Sequence, residues 1–408
     1  MSASIGAAGA GAPVSETRWD IVLLAVGAGI VAALQVGKVP PALPDIRAGL
    51  GLSLVAGGWL ASLLHLFAAL FAILISMATD RLGPARMAVA AMLVIAAGSV
   101  LGAVSGSALA LFAGRALESL GFVATSIAAP TLIVAAARPT HRSLALGIWS
   151  AYFPIGAAIA MVAAPVLMAA AGWRGLWLAD AGICVVFAVI LAVLTAPSRW
   201  SGSPRPSRER GFRDVLGTLR LPGPYLFATA FFLYACAIFA LMTWMPTFLI
   251  ERMGYSLEGA ALIGAAVVLV NIVGNLGAAW LMHRHVPRWF IVAISFIGII
   301  GTAWFVFAGD APDAFRVPAA IAMSCIAGVL PAACLAGAPA HARTTSEVAT
   351  CSGVVVHGSN LGNLLAAPIF ATVVTYFGGW SNGHLPMIGL GLAGLVLVFW
   401  IKLVDRGH

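Results

Sequence analysis

Charge is what this sequence has least of. Asp, Glu, Lys and Arg make up 9% of its 408 residues, against about 25% in an ordinary soluble domain. That shortage, beside 62% hydrophobic residues and a mean hydropathy of +1.03, excludes a water-soluble globular protein and leaves a polytopic membrane protein. Lysine is scarcer still, since Lys38 and Lys402 are the only two among 22 basic residues. Cysteine is sparse too: Cys184, Cys236, Cys325, Cys334 and Cys351 sit in apolar segments without metal-ligand spacing. They read as small core residues, so no metal is expected. An intramembrane enzyme would need a nucleophile set, a metal set or clustered acids, and none is expected here. The expectation is a protein that is not an enzyme and takes no cofactor.

The formal net charge is +8, but the arginines are scattered in ones and twos between apolar runs, so they carry topology information and no nucleic-acid partner is expected. A window of about 19 residues finds apolar segments near Trp19 to Leu43, Val55 to Thr79, Met87 to Val104, Ala108 to Ala137, Leu144 to Ala170, Gly175 to Ala196, Pro224 to Ile250, Glu258 to His283, Trp289 to Ala308, Arg316 to Ala340, Val348 to Phe377 and His384 to Val404. The fold class that follows is an all-α membrane protein of about twelve transmembrane helices in two six-helix halves. Residues 1–18, rich in Ala, Gly and Ser and without a positive n-region, are expected to be a disordered tail rather than a cleaved signal peptide. Residues 19–196 form the first half, 197–223 a Ser/Pro/Arg-rich linker, 224–404 the second half and 405–408 a tail.

With the N-terminus inside, the loops on that side hold Arg81, Arg86, Arg138, Arg142, Arg284, Arg288 and Arg343, plus the six arginines from Arg199 to Arg220. The other loops keep Arg47, Arg174, Arg252 and Arg316. Both termini are therefore expected in the cytoplasm, in a bacterial-type inner membrane. Two halves of six helices are the layout of a parallel-repeat transporter with substrate bound between them near the midplane. Lipids are the expected surroundings, and a monomer the expected state.

Certain motifs carry a resemblance. Asp80-Arg81-Leu82-Gly83 followed by Arg86, between the second and third segments, resembles the major facilitator superfamily, whose loop here reads Gly-x-Leu-x-Asp-Arg-x-Gly-Arg-Arg. Asp80, Arg81 and Gly83 match. Ser76, Ala78, Pro84 and Ala85 depart from it, and Arg86 arrives one residue late. Ala42-Leu43-Pro44-Asp45-Ile46 and Gly172-Trp173-Arg174 are similar to further elements of the family. So is Arg115 to Gly121, with Glu118 in a Gln position and Ser119 in place of a Gly. The resemblance implies alternating access gated by the loop of Asp80, Arg81, Gly83 and Arg86, and it associates Arg115 with proton coupling. Phe153, Ala157 and Ala158 depart from the Gly-Pro-x-x-Gly-Gly run of the family's antiporters.

Polar residues inside the apolar segments are the candidate site, because a charge at that depth normally faces a bundle interior or a wet cavity. Arg115 and Glu118, spaced i, i+3, share a helix face. They read either as a structural ion pair or as a coupling pair in which Glu118 carries a proton. Lys38 shares a face with Gln35 and reads as a second cation of the cavity or as a residue snorkelling to a nearby interface. His65 and His357 titrate near neutral pH when unperturbed, and otherwise read as packing residues. Asn360 follows His357 at a step of three, and Asn271 and Asn275 lie i, i+4; substrate contact and interhelical hydrogen bonding account for them equally. Asp180, a few residues into the sixth segment, reads as an interfacial acid before a proton carrier. Tyr152, with Trp149, Phe153 and Tyr234, would form an aromatic wall.

The expected function is proton-coupled transport of a small organic anion. The expected substrate contacts are Lys38, Arg115, Gln35, His357, Asn360, Asn271, Asn275 and Tyr152; the expected proton groups are Glu118, Arg115, His65 and Asp180. The competing readings are a proton-driven exporter of amphipathic compounds and, further off, a sensor or scaffold built on a transporter fold.

Overall fold

The computed structural model describes residues 16–196, 221–342 and 345–405. Most of the expected tails and linker, and Arg343, lie outside them. Every long apolar run forms a helix, because only a helix satisfies its own backbone hydrogen bonds in hydrocarbon. In chain order these are α1 (Trp19–Gly37), α2 (Val39–Leu50), α3 (Leu54–Ser62), α4 (Leu66–Leu82), α5 (Pro84–Ala103), α6 (Ala108–Ala136), α7 (Arg142–Trp149) and α8 (Tyr152–Leu194) in the first half. The second half has α9 (Pro222–Met253), α10 (Leu257–His283), α11 (Arg288–Phe307), α12 (Asp313–Ala327), α13 (Leu330–Gly337), α14 (Thr345–Tyr376) and α15 (His384–Asp405).

Among the described residues, eleven stretches are long and apolar enough to cross a membrane. One of them, the 56-residue Pro139–Leu194, contains a reversal at Ala171 and Gly172 that divides α8 into two helices. Counting it as two crossings gives the expected twelve. Helix starts follow their side chains: Ser53, Ser107 and Ser256 each accept a hydrogen bond from the backbone N–H three residues on, the usual way to satisfy an orphan donor at a helix N-terminus. Gly83, at φ 85°, makes the sharp turn from α4 to α5 that a side chain would resist.

Two spans are interrupted where each was expected to run as a single helix. The first continues past the expected end at Leu43 as α2, so Lys38 stands at a joint between helices. Twelve further residues, about 18 Å of helix, separate it from the end at Leu50. The second span breaks at a 3₁₀ turn, Leu63–His65, between α3 and α4.

Small residues set the spacing around the site. A Cβ on Gly98 would lie 2.6 Å from the Gly114 carbonyl oxygen, and one on Gly114 2.7 Å from that of Gly98. α5 and α6 are therefore in backbone contact, which sets Ser99 beside Glu118. Between the halves, α3 packs on α14: a Cβ on Gly58 would lie 2.8 Å from the Ala367 backbone, and Ser62 Oγ accepts a hydrogen bond from Ala367 N at 3.4 Å. Arg47 Nη1 meets Glu251 Oε1 across the halves at 2.6 Å, and Trp380, in the same half as Glu251, steadies that acid by donating from Nε1 to Oε2 at 3.1 Å. These cross-half contacts gather toward the end of the bundle away from the linker.

Candidate functional site

Four buried ionisable side chains converge in the first half. Lys38 leaves the α1–α2 joint, Arg115 and Glu118 project from α6, and Asp180 comes from the second part of α8. None is more than 4% exposed. The Lys38 ammonium uses all three of its protons. It donates to Glu118 Oε1 at 2.8 Å, to Asp180 Oδ2 at 2.8 Å and to Ser99 Oγ at 3.0 Å, and lies 4.5 Å from the centre of the Trp177 ring. Ser99 Oγ in turn donates to Glu118 Oε1 at 2.7 Å. Gln35 Nε2 donates to Asp180 Oδ2. On the other side of Glu118, Arg115 Nη1 donates to Oε2 at 2.6 Å.

The Arg115 guanidinium also reaches the backbone, donating to the carbonyl oxygens of Gln35 at 3.1 Å, Leu60 at 3.2 Å and Ala61 at 3.4 Å. Leu60 and Ala61 lie in the last turn of α3, where carbonyls lack intrahelical partners. One turn further along α6, Ser119 Oγ donates to Leu64 O at 2.7 Å and accepts from Phe67 N at 3.1 Å. α6 thus holds the 3₁₀ break on both sides. Two cations and two carboxylates make the cluster neutral, which is the condition under which ions survive such burial.

Asp180 is where structure and sequence part. The interfacial position expected for it is corrected: it is buried and paired with Lys38. The reversal at Ala171 and Gly172 precedes it by about two helical turns, or about 12 Å. Lys38 likewise does not snorkel, since α2 carries the span onward past it. Lys38 and Arg115, expected as cations facing the substrate, are instead covered by their acid partners.

The remaining candidates are spread out. His65 is 2% exposed and lies edge-on to Phe122 at 5.8 Å and to Phe239 of the other half at 5.0 Å. Asn360 is near enough to act on it electrostatically, although neither ring nitrogen finds a well-aligned hydrogen bond; Asn360 Nδ2 donates to Val356 O at 3.0 Å instead. Asn271 is a lock between helices, accepting from Tyr234 Oη at 3.1 Å and donating to Ser324 O at 2.9 Å. Tyr152 stacks on Trp149 at 4.1 Å. Asn275 is half-buried and His357 exposed. Asp80 and Arg81, in the last turn of α4, and Arg86, in the first turn of α5, are exposed on either side of the Gly83 turn, away from the buried cluster.

Sequence reading missed Ser99, which looks like any small helix residue, and the Arg47, Glu251 and Trp380 contact, whose members lie in three separate loops or helix ends. It also missed that Gly379 to Gly383 spells the Gly-x-Ser-x-Gly of a hydrolase nucleophile. Here those letters form a 3₁₀ turn, Trp380–Asn382, leading into α15, not the strand-to-helix elbow that such a nucleophile requires. Among the described residues no group of His, Cys, Asp and Glu could hold a metal.

A multi-pass bundle of two six-helix halves, with a neutral ion cluster inside one half and close backbone packing and an ion pair between them, has the architecture of a membrane transporter. The chain belongs to the major facilitator superfamily, whose model matches residues 25–346. It is 24% identical over 299 residues to a probable sulfoacetate transporter, SauU, of Cupriavidus necator, covering 68% of this chain and 70% of that one. It is 25% identical to a hexuronate transporter of Bacillus subtilis, over 65% of this chain and 64% of the other. A probable nitrate/nitrite antiporter, NarK1, of Thermus thermophilus is 29% identical over 60% of this chain and 57% of its own. Among solved structures, a bacterial homolog of the human lysosomal transporter Spinster, inward-facing and unoccupied, superposes with a TM-score of 0.80 at 16% identity, covering 96% of this chain and 98% of that one. The relatives are transporters, and the protein is a transporter, not an enzyme.

Proposed function

We propose that this protein is a proton-coupled transporter of a small organic anion in a bacterial inner membrane, working as a monomer by alternating access with both termini in the cytoplasm. The observation that carries the reading is the neutral cluster of Lys38, Arg115, Glu118 and Asp180. One proton added to either acid leaves a net positive charge in low dielectric, so proton uptake makes the first half attractive to an anion. Proton and anion then cross together. The relatives transporting sulfoacetate, hexuronate and nitrate or nitrite by name support an acidic substrate. The grouping of the cross-half contacts away from the linker supports a bundle that opens toward the linker side, where the arginine-rich loops also lie.

One observation favours the runner-up, a proton-driven exporter of amphipathic compounds: Lys38 and Arg115 are already neutralised, while the stacked, half-buried Trp149 and Tyr152 offer aromatic surface. Proteoliposomes with an alkaline interior decide between them. Labelled sulfoacetate, glucuronate and nicotinate are offered at neutral outside pH, with and without a protonophore. Gradient-driven accumulation of at least one acid, competed by other anions and not by lipophilic cations, supports the first reading. Indifference to the gradient, or competition by cations alone, overturns it.

A further inference from the structure

The two carboxylates of the cluster differ in how their oxygens are engaged. Both oxygens of Glu118 are occupied. Oε1 accepts from Lys38 and from Ser99, and Oε2 accepts from Arg115. A proton on either would neutralise the one anion shared by Lys38 and Arg115 and so weaken charge-assisted bonds from both cations. Asp180 differs. Lys38, Gln35 and, at 3.4 Å, Ser99 all donate to Oδ2, while Oδ1 is buried and has no hydrogen-bond partner among the described residues. A buried carboxylate oxygen without a partner is an unfavourable arrangement that natural structures seldom keep without a reason.

We propose that Asp180, through Oδ1, is the group that takes up and releases the transported proton, while Glu118 stays ionised as the fixed anchor of Lys38 and Arg115. This rests on the proton-coupled reading above and assigns the proton to one of its two acids. The step balances simply: water on one side of the membrane gives a proton to Oδ1, and water on the other side receives it. In the protonated state Asp180 no longer neutralises Lys38, so two cations face the single charge of Glu118. An acidic substrate restores neutrality, and its departure favours loss of the proton.

The groups facing Asp180 fit this assignment. From α1 and its joint come Gln35 and Lys38, from α5 Ser99, and from α6 Glu118 with Arg115 behind it. On its own helix stand Trp177, which holds the other face of the ammonium, and Cys184, whose sulfur lies 3.9 Å from Gln35 Nε2. Ser99 reaches both acids without carrying charge; Lys38 is the cation that, among the described residues, pairs with both, so a proton on Asp180 redirects it toward Glu118 without breaking the Arg115 pair.

The test is independent of the substrate. Infrared difference spectra of the full-length protein in lipid, between alkaline and acidic buffer, report the deuterium-sensitive carbonyl band of a buried carboxyl that gains a proton. The wild type is expected to show that band, Glu118→Gln to keep it and Asp180→Asn to lose it. Asp180→Glu, which leaves a carboxyl in place should the amide disturb folding, is expected to shift the band. A band unmoved by both Asp180 variants, or lost in Glu118→Gln, would overturn the assignment. A wild type that shows the band yet accumulates no anion under a gradient would overturn the transport reading and leave the proton on Asp180.

Discussion

At the residue scale, the cluster is a set of mutual dependences more than a source of stability. A buried ion pair often does no better than apolar residues of the same size, whereas deleting one partner leaves an uncompensated charge and costs about 3–5 kcal/mol. Lys38 has two anionic partners, so Lys38→Met is expected to be strongly destabilising. Thermal unfolding in detergent should show that loss near neutral pH, and a smaller loss at acid pH, because a protonated Asp180 needs no cation. The double variant Lys38→Met/Asp180→Leu removes one charge of each sign and leaves the Arg115–Glu118 pair intact. It is expected to recover most of the stability of the single variant while losing gradient-driven transport. A double variant as unstable as Lys38→Met alone would refute the claim that charge balance, and not the packing of the lysine stem, governs the site.

At the element scale, the break between α3 and α4 is held from α6. Arg115 binds the carbonyls at the end of α3, and Ser119 binds across the 3₁₀ turn to Leu64 O and Phe67 N. α3 is also the helix that touches α14 of the other half, so the ion cluster and the cross-half contact share one short element. Ser119→Ala removes both Ser119 hydrogen bonds, at about 1 kcal/mol each. Amide hydrogen exchange at Phe67 and its neighbours is expected to quicken by about ten- to thirtyfold, with the rest of α6 unchanged. Exchange that quickens along the whole of α6 would mean that Ser119 supports the helix and not the break. Little of this was legible beforehand. Arg115, Glu118 and the Ser119 substitution stood out in the sequence, but nothing between Leu60 and Leu66 signals an interruption, since no proline or glycine lies there. The break is fixed by tertiary bonds from another helix, which a hydropathy profile does not register. The joint at Lys38 did carry a signal, Pro40-Pro41, yet it read as the end of a span because the polar residues after it resemble a loop.

At the scale of the whole molecule, the six-plus-six layout and the family were legible because lipid imposes them on every span, while the contacts that hold one end shut were not, because they join residues hundreds apart. Those contacts are of two kinds, and their magnitudes differ. The Arg47–Glu251 pair has side chains 20% and 33% exposed, and ion pairs so wetted contribute about 0–1 kcal/mol. Arg47→Gln is therefore expected to shift the balance between open and closed ends by no more than about fivefold. Gly58 is different, since an added Cβ there would press on the Ala367 backbone, which cannot swing aside as a side chain does. Gly58→Val is expected to part α3 from α14 and to populate the arrangement opened away from the linker far more than Arg47→Gln does. Spin labels at Leu52 and Tyr255, one on each half at that end, measure the separation directly. The distance distribution should broaden and lengthen in Gly58→Val and change only slightly in Arg47→Gln. The reverse order would show that the salt bridge, and not the close backbone packing of α3 on α14, keeps that end closed.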